Sequence, residues 1–179
     1  MRIAVSGSHA TGKSTLIAEL AQQLNDFEVL DEPYYVLEEE GHLFEHPPGA
    51  DDFEVLFRRS VEMLRAPESS RILFDRSPAD YLAYRTVLDP AANLSDSVAD
   101  AAVALSTLDL VVLVPIEVPD RVPTSEYHGL RRRVDGVLHE MFVEQNWGFE
   151  VPVVVVHGTP SERVDQVLIR AQRNHRIDS

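Results

Sequence analysis

The chain contains no cysteine, which excludes disulfide staples and thiol chemistry and leaves the compartment open. It also lacks any apolar run that approaches the length needed to cross a membrane. The first apolar segment begins almost at Met1, which argues against a signal peptide. Positive charge is scarce: 16 Lys and Arg stand against 30 Asp and Glu, a formal charge of −14. Such a chain repels phosphodiester backbones and anionic membrane surfaces, so neither nucleic acid nor membrane is an expected partner. The seven histidines show no metal-ligand spacing, and His139-Glu140 lacks the second histidine of a zinc helix. No internal repeat and no linker breaks the 179 residues, a length that fits one domain with a full core. A cytoplasmic protein of one domain, 1–179, is the expectation.

What is present is more specific. Residues Gly7-Ser8-His9-Ala10-Thr11-Gly12-Lys13-Ser14 spell a complete P-loop pattern. Ile3-Ala4-Val5 leads in as a short buried strand, and Leu16, Ile17, Leu20 and Leu24 follow at helical spacing. That order of strand, Gly-rich turn and helix separates a phosphate loop from an ordinary turn. Gly7 and Gly12 admit backbone angles and close approach that a side chain forbids. The N–H groups of residues 7–15, Thr15 included, form with the helix N-terminus a partially positive cradle for phosphate oxygens. His9 is expected to contribute only its backbone. Lys13 should reach the β- and γ-phosphates, and the Ser14 hydroxyl should ligate Mg²⁺. The expected ligand is a nucleoside triphosphate, ATP, bound with Mg²⁺.

Helical and strand patterns alternate along the rest of the chain. A second strand reads over 27–30 and ends in Asp31-Glu32-Pro33, followed by a polar helix-like stretch and a break at His46-Pro47-Pro48-Gly49. Phe53, Leu56, Phe57, Val61 and Leu64 predict an amphipathic helix over 51–65. A third strand, 71–74, stops at Asp75-Arg76-Ser77, and Pro78 opens a helix through 87. An Ala-rich helix over 95–107 feeds a strand over 110–114. Pro115, Pro119, Pro123 and Gly129 then punctuate a loop of about 15 residues, long enough for a functional lid, taken here as about 115–133. A helix over 130–147, a fifth strand over 153–156 and a helix over 161–173 complete the pattern, with fraying expected after Asn174. The fold class is α/β: a five-stranded parallel sheet covered on both faces, a three-layer α/β/α arrangement. Ligands bind beyond the carboxyl ends of such strands, so the P-loop, Asp31-Glu32 and Asp75-Arg76 should meet in one crevice.

Phosphoryl transfer needs a cradled triphosphate, a held metal, a positioned acceptor and neutralised charge. Asp75 ends an apolar strand, where a carboxylate can face the metal; the other reading is a helix N-terminal acid. Arg76, with its forked guanidinium, suits an acceptor oxygen or a neighbouring carboxylate. A hydroxyl acceptor must lose its proton, and Glu32 can take it. Asp31 is the rival, and the alternation that puts Val29 inward and Leu30 outward does not decide between them. Arg131-Arg132-Arg133 is the one basic run. It starts a helix, where positive charge opposes the macrodipole, so phosphates or surface carboxylates should compensate it. Tyr81, Tyr84, Phe57 and Arg58 can line an acceptor pocket or serve the core. Glu38-Glu39-Glu40 reads as a solvated face.

Three segments together resemble the P-loop nucleoside and nucleotide kinases. The phosphate loop matches theirs, Asp31-Glu32-Pro33 looks like the Glu-Pro element of deoxynucleoside kinases, and Asp75-Arg76-Ser77 looks like that family's Glu-Arg-Ser element. The resemblance implies Glu32 as general base for a 5′-hydroxyl, an acid near the metal at Asp75, and Arg76 at the reacting hydroxyl. Arg131-Arg132-Arg133 looks like the arginine-bearing lid, which implies that the run closes over the phosphates, with Arg131 and Arg132 as its catalytic members. Asp75 is one carbon shorter than the family's glutamate, and the triple arginine departs from the usual lid spacing. Gly129-Leu130-Arg131 is also similar to the lid of ATPases and kinases related to bacterial nicotinamide riboside kinase. Either resemblance implies the fold and the use of ATP, but the two do not imply the same acceptor. The leading expectation is an ATP-dependent kinase of a nucleoside-like hydroxyl. Oligomeric state stays open, although related kinases often form homodimers through the helices that flank the sheet. The alternatives are a nucleoside monophosphate kinase, or a slow ATPase that acts as a regulatory switch.

Overall fold

Each central strand divides its side chains between two apolar layers, and that division explains the architecture. Alternate residues of a strand face opposite sides: Ile3 and Val5 pack on one side of the sheet while Ala4 packs on the other. Leu73 opposes Ile72 and Phe74 in the same way, and Val112 opposes Val111 and Leu113. The computed structural model describes residues 1–65, 69–120 and 127–177. Its strands are β1 (Arg2–Ser6), β2 (Glu28–Leu30), β3 (Ile72–Asp75), β4 (Leu110–Leu113) and β5 (Val153–Val155). They form one parallel sheet in the order β2-β3-β1-β4-β5.

Helices α1 (Lys13–Gln23) and α7 (Pro160–Ile177) cover one face. The other is covered by α3 (Ala50–Arg65), α4 (Pro78–Leu88), α5 (Ser95–Leu105) and α6 (His128–Phe142). The short α2 (Pro33–Glu39) follows β2. This is the expected three-layer α/β/α fold with five parallel strands.

Three local expectations change. In β2 the inward residue is Leu30, which packs on the core, whereas Val29 is 38% exposed. As an edge strand of three residues, β2 is buried on one side only, and the apolar pattern does not reveal which. α6 ends at Phe142 rather than at 147. Gln145 adopts a φ of 57°, and the Asn146 N–H returns to the Glu140 carbonyl at 3.1 Å, a Schellman-like stop. Trp147 and Phe149 fold back beside Phe142, so their apolar character serves the helix end instead of extending it. α7, by contrast, continues past 173 to Ile177. The middle of the expected lid, including Pro123, lies outside the described residues.

Candidate active site

Parallel register sets the carboxyl ends of β1, β2 and β3 side by side. Val5 pairs with Asp75 and Leu30 with Phe74. The P-loop leaves β1 at Gly7, where a Cβ would collide with the Val114 carbonyl oxygen, so the loop passes β4 only because this residue is glycine. Gly12, at a φ of 92°, turns the chain into α1. Lys13 opens that helix with its side chain buried, and its Nζ donates to the Ser8 carbonyl at 2.7 Å. Burial, and then the charge of Arg76, lower its pKa to about 7. Asp80, Glu32 and Asp75 act on it in the opposite sense, but none of them pairs with it directly among the described residues, and a phosphate would.

Across the crevice, β3 delivers Asp75 and Arg76. Burial, and then the charge of Glu32, push the Asp75 carboxyl up to about 6. Its Oδ1 is buried without a hydrogen-bond partner among the described residues. Arg76 adopts a φ of 72°, a left-handed turn that is strained for a side chain of this size. The turn aims the guanidinium back over β1: Nε donates to Glu32 Oε1 at 2.6 Å and Nη1 to the Gly7 carbonyl at 2.9 Å.

Asp80 locks this corner. Its Oδ2 accepts from the Ser77 N–H at 2.9 Å and hydroxyl at 3.1 Å, half of a capping box that starts α4. Its Oδ1 accepts from the Gly7 N–H at 2.8 Å and lies 3.4 Å from Arg76 Nη1. One buried carboxylate thus ties the P-loop, the β3 turn and a helix cap together.

Two more arginines brace the P-loop from outside. Arg131, 1% exposed, donates from Nε to the His9 carbonyl at 2.8 Å and from Nη2 to that of Ala10 at 3.0 Å, and its Nη1 pairs with Asp120. Arg163 of α7 donates from Nη1 to the Thr11 carbonyl at 2.8 Å and from Nε to that of Gly158 at 3.1 Å, and its Nη2 lies 3.0 Å from Glu117. Three consecutive loop carbonyls, at 9, 10 and 11, are therefore held outward.

A cavity lies on each side of the loop. One, of about 200 Å³, is bounded by Thr11, Gly12, Thr15, Pro115, Arg131 and Arg163. The other, of about 230 Å³, is lined by Glu32, Arg76, Tyr34, Phe53, Tyr81 and Tyr84, with Pro47 and Pro48 from the loop before α3.

The structure thus brings together Gly7, Ser8, Lys13, Glu32, Asp75 and Arg76 in the crevice. Ser14 and Thr15 are exposed at the start of α1. Asp31 is exposed, so Glu32 is the acid that faces Arg76. Arg132 and Arg133 are exposed on α6, and only Arg131 of the basic run reaches the loop. His9 does more than lend its backbone: its N–H and Nδ1 meet the Tyr84 hydroxyl at 3.1 and 2.9 Å. Phe57 belongs to the core, where Arg85 sits over its ring, and Arg58 is an exposed partner of Glu54; neither lines the aromatic cavity. Phe53 does, stacked on Tyr84 at 4.5 Å. Sequence reasoning missed Asp80, although the Ser77–Asp80 spacing is a capping-box signal. It also missed Arg163, Glu117 and Asp120, which carry no local pattern.

The oxygen donors fit a magnesium ion, which takes few carboxylates and shares the remainder of its shell with phosphates and water. Asp75, with its unpartnered Oδ1, and the Ser14 hydroxyl are the residues that would hold it.

A family model described as an AAA domain matches residues 2–163. No curated protein matches the sequence. Among solved structures, thymidylate kinase from Ehrlichia chaffeensis gives a TM-score of 0.65 at 13% identity, covering 96% of this chain and 98% of that one. Deoxyadenosine kinase from M. mycoides with bound dATP gives 0.62 at 16%, covering 96% and 100%. NadR protein in complex with NAD and AMP-PNP gives 0.59 at 20%, covering 92% of this chain but 48% of that one, so the chain spans about half of NadR. At these identities the likeness is one of fold, that of the P-loop nucleoside and nucleotide kinases.

Proposed function

Because the chain belongs to the AAA domain family and has the fold of P-loop nucleoside and nucleotide kinases, we propose that it is a kinase dependent on Mg²⁺ and ATP. Its acceptor is a hydroxyl of a nucleoside-like small molecule. The observation that carries this reading is the charge of the aromatic cavity. Among the described residues that line it, Arg76 is the only arginine or lysine, and its Nε and Nη1 are committed to Glu32 and Gly7. A phosphorylated acceptor needs cations to neutralise it. A neutral hydroxyl needs a base, and the cavity offers Glu32.

The roles follow from position. The N–H groups of residues 7–15 and Lys13 hold the triphosphate and offset charge as it develops on the transferred group. Glu32 takes the proton from the acceptor hydroxyl as its oxygen bonds to the γ-phosphorus and the bond to the bridging oxygen breaks. Arg76 orients the acceptor oxygen and fixes the Glu32 carboxylate. Mg²⁺, when held by Ser14 and Asp75, supplies Lewis-acid neutralisation of phosphate charge. Arg131 secures the loop, and Arg132, exposed on α6, meets the outer phosphate oxygens; all of these roles fall within a single domain. The −14 charge keeps nucleic acid out of the site. No helix among the described residues is long and apolar enough to cross a membrane, and consumption of ATP suits the cytoplasm.

The test is ADP release from Mg-ATP, alone and with nucleosides, nicotinamide riboside and nucleoside monophosphates. Strong stimulation by an unphosphorylated nucleoside is expected. Stimulation by monophosphates alone would make the protein a nucleotide kinase and remove Glu32 as base. A slow rate indifferent to every acceptor would indicate a regulatory ATPase.

A further inference from the structure

The crevice contains a buried hydroxyl that none of the described residues uses. Tyr81, on the first turn of α4, is 1% exposed, and its Oη has no hydrogen-bond partner among the described residues. A buried tyrosine ordinarily finds one, because an unmet hydroxyl costs stability that phenylalanine in the same space would avoid. Ser8 Oγ and Asp75 Oδ1 are unpartnered too, but they belong to the side where the triphosphate would lie. Tyr81 instead lines the aromatic cavity, together with Glu32 and Arg76.

The other rings of that cavity have different duties. Tyr34 is only half-buried and stacks on Phe44 at 4.4 Å, Phe53 carries no polar atom, and the Tyr84 hydroxyl is engaged by His9. Tyr127, 52% exposed, stands toward solvent. Burial, and then the charge of Glu32, raise the Tyr81 pKa well above that of a free phenol, so the group remains an O–H donor. Glu32 and Arg76 are the groups next to which the reacting hydroxyl must sit, so Tyr81 stands where the part of the acceptor beside that hydroxyl enters.

We propose that Tyr81 is a specificity-determining residue: its hydroxyl donates to an uncharged oxygen or nitrogen of the acceptor, close to the hydroxyl that is phosphorylated. This rests on the reading of the aromatic cavity as the acceptor site. The matched atom is uncharged because a carboxylate or phosphate there would face Glu32, and the one arginine among the described lining residues, Arg76, is already paired with Glu32. An acceptor lacking that atom leaves the phenol unmet, and the site discriminates against it on that ground.

Tyr81→Phe in the full chain tests this. Two readouts are taken: the thermal midpoint of the ligand-free protein, and ADP release from Mg-ATP with adenosine, deoxyadenosine, thymidine and nicotinamide riboside. The midpoint is expected to rise by roughly 2–4 °C, since an unmet hydroxyl is removed. For the nucleoside that the wild type uses, kcat/KM is expected to fall about tenfold, mostly through KM, with the KM for ATP unchanged. A lowered midpoint would show a structural role and overturn the proposal. So would an unchanged kcat/KM for a nucleoside that the wild type does use, which would leave the kinase reading standing. A wild type that uses none of the four acceptors would overturn the kinase reading itself, and the role of Tyr81 with it.

Discussion

Arg76 is where local strain and chemistry coincide. Its left-handed backbone is kept by an N–H bond to the Val5 carbonyl at 3.1 Å and by the guanidinium bonds to Gly7 and Glu32. Lysine has no fork to serve both directions, so Arg76→Lys should lose about 3 kcal/mol in denaturant unfolding along with most turnover. Glu32→Gln is milder for the fold, because the amide oxygen still accepts from Nε. Its kcat should fall about 10²- to 10⁴-fold, with the KM for ATP little changed. Steady-state kinetics on both variants separate positioning from proton transfer. Lys13, Asp75, Arg76 and the acid pair Asp31-Glu32 were legible because each sits at the end of an apolar strand or in a spelled motif. The choice between Asp31 and Glu32 was not, because a three-residue edge strand does not show which of its faces is buried.

At the scale of elements, α6 and α7 act as braces for a loop that neither adjoins in sequence. Arg131→Ala and Arg163→Ala each leave a carboxylate without its partner, at Asp120 and Glu117 respectively, although each acid keeps other interactions. Each should lower stability by about 3 kcal/mol and raise the KM for ATP. Arg132→Ala, on an exposed position, should stay within about 0.5 kcal/mol, so any loss of turnover in it reports on transfer alone. Chemical denaturation beside ATP titration checks all three. Asp135 of α6 accepts from the Ile116 N–H at 3.0 Å, and burial raises its pKa above the ordinary value. The folded state then holds this proton more tightly than the unfolded chain. Its contribution therefore falls as pH rises from the ordinary carboxylate value through the raised one. Asp135→Asn should gain stability relative to wild type across that window and show no such gain below it. The helices themselves were legible from periodicity, but their bracing was not. Arg163 lies 152 residues from its Thr11 partner, and only the packed fold brings them together.

The whole molecule is an acidic three-layer α/β fold, and the topology gathers Lys13 and Arg76 with Glu32, Asp75 and Asp80 in one crevice. The order β2-β3-β1-β4-β5 puts the P-loop strand at the centre and the two carboxylate-bearing strand ends on one side of it. A ligand that binds only the folded state stabilises it by mass action. Mg-ATP at one hundred times its Kd should therefore add about 2.7 kcal/mol, seen as a rise of several degrees in the thermal midpoint. The most direct test of the central claim is mass spectrometry of the small-molecule products after incubation of wild type and Glu32→Gln with Mg-ATP and the nucleoside panel. The expected result is one nucleoside converted to its monophosphate by the wild type, and scarcely at all by the variant. Equal conversion by both, or conversion of monophosphates only, would contradict a hydroxyl kinase that uses Glu32 as its base.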